Sequence, residues 1–95
     1  MLMLSRYIGE SIVVDHRIVV KVLDVGPGWC ELRFTGLPDL EHLVLSPEYP
    51  SHSFGPVDKM MLSMTDGNKV RLAFHAPRSV TINRAEIEAQ QSAGT

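Results

Sequence analysis

An all-β domain closed by one short C-terminal helix is the fold class this sequence predicts, and three features carry that prediction. Apolar and polar residues alternate in several runs, turn-forming residues punctuate those runs, and a single helical pattern begins near residue 83. At 95 residues the chain has room for one domain. So small a domain buries little surface, which makes a homodimer the expectation.

Residues 1–7 alternate as a half-buried strand does, with Leu2, Leu4 and Arg6 on one face and Met3, Ser5 and Tyr7 on the other. "IGES" turns the chain into a short strand at 12–14. "DHR" then leads into a longer one at 18–25, where Ile18, Val20 and Val22 share a face. Connections this short join antiparallel neighbours, not parallel ones. The alternation resumes at Val70, Leu72 and Phe74, and Asp66-Gly67 just before it is a hairpin signal that makes residues 59–64 the partner strand. Pro77 ends that strand because it has no N–H to give to a ladder. A last short strand is expected at 80–82.

A helix follows, with Asn83 as cap, Glu86 three residues on in a capping-box arrangement, and Ile87 as anchor. Two turns do not hold alone, so the helix must lean on the sheet or on a partner. In the middle of the chain "WCELRFT" alternates like a strand, "HLVLS" is a shorter candidate, and "PEYPSHSFGPVD" reads as a loop rich in Pro and Ser. "ELRFTGLP" echoes "VRLAFHAP", but one residue out of register, and the two are not read as a repeat. The "QQSAGT" end reads as frayed.

Cys30 is the sole cysteine, which excludes an internal disulfide framework and a paired-thiolate zinc site and fits a reducing, cytoplasmic setting. Arg6 and Glu10 interrupt the apolar start short of a signal h-region or a membrane span, so no membrane association is expected. The four histidines, His16, His42, His52 and His75, show no metal-ligand spacing, and no metal or cofactor is expected. Ser63, His75 and Asp66 lack any nucleophile elbow or phosphate loop around them, so an enzyme is not expected either.

The net charge of −2 argues against nonspecific polyanion binding, which scales with the phosphates neutralised by Lys and Arg. Its distribution is uneven. Residues 27–66 set Arg33 and Lys59 against Glu31, Asp39, Glu41, Glu48, Asp58 and Asp66, while the rest of the chain holds seven basic and five acidic residues. Two mildly basic ends therefore flank an acidic middle.

Two blocks, "MLMLSRYIGESIVV" with "VVKVL" and "GNKVRLAFHAPRSVTINRAEI", keep the order and spacing of a known family. Together they resemble the CsrA/RsmA carbon storage regulators, bacterial cytoplasmic proteins that bind messenger RNA or small regulatory RNA. The fold implied is an antiparallel β homodimer with interlocked strands, the first strand of one subunit lying beside the last of the other. In that arrangement Leu4 and Arg6 of one chain meet Ala76, Pro77, Val80, Ile82, Asn83 and Arg84 of its mate, and two-fold symmetry gives two equivalent RNA sites. The implied function is sequence-specific recognition of GGA-type motifs in leader RNA, controlling translation as a repressor, with a protein antagonist as a possible further partner. The chain departs from the family pattern at Asn83, where histidine is usual, at Ala85, where glutamate is usual, and at "VDHR". Where relatives have a tight hairpin it holds a stretch of about 40 residues, read as an acidic insert at 27–66 in a single 1–95 domain.

Elementary chemistry is compatible with such a site. Unpaired loops expose Watson–Crick edges to strand-edge N–H and C=O groups, and arginine forks give charge-assisted bonds to phosphate or guanine that lysine does not reproduce. The plainer readings stand beside it: Arg6 and Arg84 as solvated strand-end charges, and Leu4, Val80 and Ile82 as core. Trp29, Phe34, Met60, Met61 and Met64 are core for the middle strands or an adaptable protein-binding patch. A diverged protein-binding module acting through the acidic segment, without RNA affinity, is the alternative function.

Overall fold

The computed structural model describes the backbone of residues 1–93 and the side chains of residues 1–90. Nine strands run in chain order: β1 (Leu2–Tyr7), β2 (Ser11–Val14), β3 (Ile18–Gly26), β4 (Trp29–Thr35), β5 (His42–Leu45), β6 (Ser51–Phe54), β7 (Val57–Asp66), β8 (Lys69–His75) and β9 (Ile82–Arg84), followed by helix α1 (Ala85–Ala93). They form two antiparallel sheets, ordered β1-β8-β7-β6 and β5-β4-β3-β2-β9. The mainly antiparallel class with one terminal helix is the one the alternation predicts.

The inward residues of both sheets merge into a single core. Ile12, Val14, Ile18, Val20, Val22, Leu32 and Phe34 come from one sheet, and Leu4, Val57, Met60, Val70, Leu72 and Phe74 from the other. The rings of Phe34 (β4) and Phe54 (β6) meet edge to face across the layers, with centroids 4.9 Å apart. At the β2–β3 hairpin, Asp15 and His16 both take left-handed φ, at 56° and 60°, and Arg17 N donates to Val14 O at 3.2 Å. This is the primed turn that matches strand twist, made here without glycine.

Several expectations change. Residues 51–54 form β6 instead of lying in a loop, because Pro50 and Pro56 sit outside the strand and the left-handed Gly55 (φ 48°) turns it into β7. The last strand lies at Ile82–Arg84, two residues later than expected, with Val80 N bonded back to Pro77 O at 3.0 Å in a turn. The helix begins at Ala85, so its cap position falls on Arg84, and Asn83 lies in β9. Of the end expected to fray, residues 90–93 continue α1, and residues 94 and 95 lie outside the described residues.

The echo between "ELRFTGLP" and "VRLAFHAP" belongs to a structural repeat. β3 pairs β4 through Val20↔Phe34, Val22↔Leu32 and Gly26↔Trp29; β7 pairs β8 through Met60↔Phe74, Leu62↔Leu72 and Asp66↔Lys69, forty residues later at every position. Both hairpins break register at the matching place, between Val22 and Asp24 and between Leu62 and Met64. Val22 N bonds Glu10 O at 2.9 Å, and Leu62 N bonds Pro50 O at 2.9 Å, again forty residues apart. The pairing expected of the first strand with the last is not the one made within the chain: β1 lies on β8, and the last strand, β9, lies in the other sheet on β2. Residues 27–66 supply β4, β5, β6 and all of β7, along with the buried Cys30, Leu32, Phe34, Leu45, Phe54, Val57 and Met60.

Candidate nucleic-acid interface

β1 ends one sheet and β9 ends the other, so each has an outer edge with no strand beside it. The strand period sends Leu4 and Arg6 inward from β1. Leu4 enters the core; Arg6 runs its stem alongside and is only 5% exposed. Its guanidinium crosses to the other sheet. Nη1 donates to Ser11 O at 3.0 Å, Nη1 and Nη2 donate to the two carboxylate oxygens of Glu86 at 2.8 and 2.9 Å, and Glu10 lies 3.4 Å away. This bidentate fork ties β1 to β2 and to the first turn of α1.

The Arg6 hydrogen bonds hold the Glu86 carboxyl well below its usual range, to about 2, helped by its own backbone amide and by the charges of Arg6 and Arg84. The Arg6 guanidinium is correspondingly raised, chiefly by Glu86. Glu88 is lowered as well, by His16 Nδ1 at 2.6 Å and by the Asn83 amide, which donates to it at 3.1 Å. Acidic residues in the first turn of α1 also suit the positive end of the helix dipole. The capping box expected from Asn83 and Glu86 does not form, because Asn83 lies in β9 and donates to Glu88, while Glu86 binds Arg6 and its own backbone amide.

At the Leu2 end of β1 lies an open groove of about 410 Å³, lined by Met1, Leu2, Phe74, His75, Ala76, Pro77, Arg78, Val80 and Ile82. It collects four of the eight residues expected to form the site: Ala76, Pro77, Val80 and Ile82. Leu4 and Arg6 are not in its lining. Arg84 is exposed and shares the strand face of Ile82, so it extends the groove wall toward α1, while Asn83 points to the opposite side. No carboxylate and no residue of 27–66 lines the groove among the described residues.

The arginine in the groove lining is Arg78, beside Met1; Arg84 lies two residues beyond Ile82 on β9, where its charge acts on Glu86, and among the described residues neither arginine forms an ion pair. The nearby carboxylates are engaged: Glu86 by Arg6, Glu88 by His16, and Glu10 by the Tyr7 amide at 2.8 Å. Two apolar walls, two arginines and two unpaired strand edges suit an extended, unpaired polyanion with flat bases. Sequence reasoning passed over Arg78, whose signal was its place inside "APRSV", and assigned Glu86 to the helix cap when its partner lies eighty residues away.

Residues 1–34 match the CsrA family, described as the global regulator protein family. No curated protein and no solved structure matches the chain.

Proposed function

With residues 1–34 of CsrA type as the premise, we propose that this protein is an RNA-binding post-transcriptional regulator that takes single-stranded GGA-type loops of leader RNA into the groove between β1 and β9. The observation that supports it most is the groove itself: Arg78 lines it, Arg84 lies one strand step beyond Ile82, its apolar walls lie at two open strand edges, and no carboxylate lines it among the described residues. Outer-edge amides and carbonyls of β9 and the 76–82 segment read base edges. Arg84 and Arg78 bond phosphate or guanine, and Leu2, Val80 and Ile82 give the bases an apolar floor. Leu4 and Arg6 act from beneath, Arg6 as a positioning residue that fixes β1 against β2 and α1.

The site needs few charges, which reconciles specific RNA binding with a net charge of −2. The test is titration of a hairpin RNA with a GGA loop, at stated salt, with wild type, Arg84→Ala and Arg78→Ala. Each substitution removes one fork, worth about 1–3 kcal/mol, so affinity falls roughly 5- to 150-fold, and a hairpin with a scrambled loop binds all three proteins weakly. Equal affinity of the three proteins for the GGA hairpin removes the proposed site.

A further inference from the structure

Resting on that reading, we infer that the chain is a fused pair of half-units that has kept one RNA site and lost its symmetry mate, so that one polypeptide binds one motif. The repeat gives the correspondence. β1, β2, β3 and β4 match β5, β6, β7 and β8, and, β9 aside, each sheet takes one strand from one half and three from the other: β1 on β8-β7-β6, and β5 on β4-β3-β2. The pairing Leu4↔Leu72 on the first sheet is answered by Leu43↔Leu32 on the second, and Arg6↔Val70 by Leu45↔Cys30. What two subunits do by exchanging strands, this chain does with itself.

β9 breaks the correspondence. It lies on β2 through Val13↔Asn83 and Ile12↔Arg84, but β6, the match of β2, ends its sheet with no strand beside it. The two halves part after their second hairpins: residues 36–41 lead from β4 into β5, which pairs on β4 itself, whereas the equally long 76–81 leads from β8 across to β9 on β2. The second site therefore lacks its reading strand and the arginine on it. It also lacks the clamp, since the position of Arg6 is held by Leu45, which is fully buried. The groove lined by the matching connection, about 450 Å³, has Leu37, Pro38, Asp39, Leu40 and Glu41 in its lining and neither arginine nor lysine. An acid there repels phosphate where Arg78 and Arg84 attract it.

One site per chain changes what the regulator does to RNA. A two-site particle bridges two motifs of one transcript and gains avidity of about 10²–10⁴ from effective concentration. A one-site chain occupies each motif independently. The test uses the full chain with two RNAs, a hairpin with one GGA loop and a transcript with two such loops. The measurements are solution mass, binding stoichiometry by calorimetry, and affinity per loop. The expected results are a particle of one chain, 10.6 kDa, one single-loop RNA per chain, two chains on the two-loop RNA, and equal affinity per loop within about twofold. Two single-loop RNAs per chain, a stable dimer with two RNAs, or a hundredfold preference for the two-loop RNA overturns the single site. Failure of both RNAs to bind is a different signature: it overturns the RNA reading and takes the single site with it.

Discussion

Truncating Leu72 tests whether the two sheets share one core. Leu72 is fully buried in β8, between Leu4 of β1 and Leu62 of β7. Leu72→Ala removes three carbons, worth about 0.8 kcal/mol each in transfer, or roughly 2.4 kcal/mol. The cavity left behind raises the expected loss to about 3–4 kcal/mol, within the usual range for such truncations. A domain of this size has about 5–14 kcal/mol in hand, so the loss is large but leaves a folded protein. With a urea dependence near 1–1.5 kcal/mol per molar, the midpoint falls by roughly 2–4 M.

Trp29 makes the measurement discriminating, because it lies in β4, on the sheet that does not contain Leu72. Unfolding is followed by Trp29 fluorescence and by far-ultraviolet circular dichroism. If Phe34 and Phe54 and the residues around them weld the layers into one cooperative unit, both signals shift together. A dichroism transition that moves while the Trp29 transition stays put shows that the sheets unfold separately, and a shift below about 1 kcal/mol shows that Leu72 is not in a packed core.

Two further outcomes follow from the perturbed groups. Glu86 is held at about 2, below the usual carboxylate range. Its contact with Arg6 therefore contributes fully above the unfolded carboxyl value near pH 4–4.5 and is lost as pH falls toward 2. Comparison of urea midpoints for wild type and Glu86→Gln between pH 2 and 7 should show a constant advantage for wild type above about pH 5 that shrinks toward pH 2. An advantage that grows on acidification contradicts the clamp. Cys30 is fully buried, and desolvation raises its thiol to about 11. A disulfide reagent at pH 8 should label it only at the rate of unfolding, and a fast labelling phase in native buffer contradicts that burial.

Much of the fold is written locally. β1, β3, β4 and β8 show period-two alternation because each buries one face, and Asp66-Gly67 marks the β7–β8 hairpin because its left-handed Gly67 (φ 61°) costs nothing there. β6 was hidden, since Ser51, His52 and Ser53 carry no apolar pattern and the strand is held by pairing to β7. The repeat was hidden too. The matched positions are buried in both halves but often differ in residue: Leu32 answers Leu72 and Phe34 answers Phe74, while Val20 stands against Met60, Cys30 against Val70 and Arg6 against Leu45.

The site divides along the same line. Ala76, Pro77, Val80, Ile82 and Arg84 stand in one short segment, and their grouping was legible because neighbours in sequence stay neighbours on a strand and its turn. Arg6 read as a surface charge from the residues and as an RNA contact from the family resemblance, because nothing near it in sequence reveals that its fork is filled by Ser11 and Glu86. Period-two alternation says which face of a strand is buried and is silent on whose strand lies next to it. That choice is tertiary: the connections 36–41 and 76–81 are each six residues long, yet the first returns the chain to pair β5 on β4 while the second carries β9 across to β2 and leaves β6 without a neighbour.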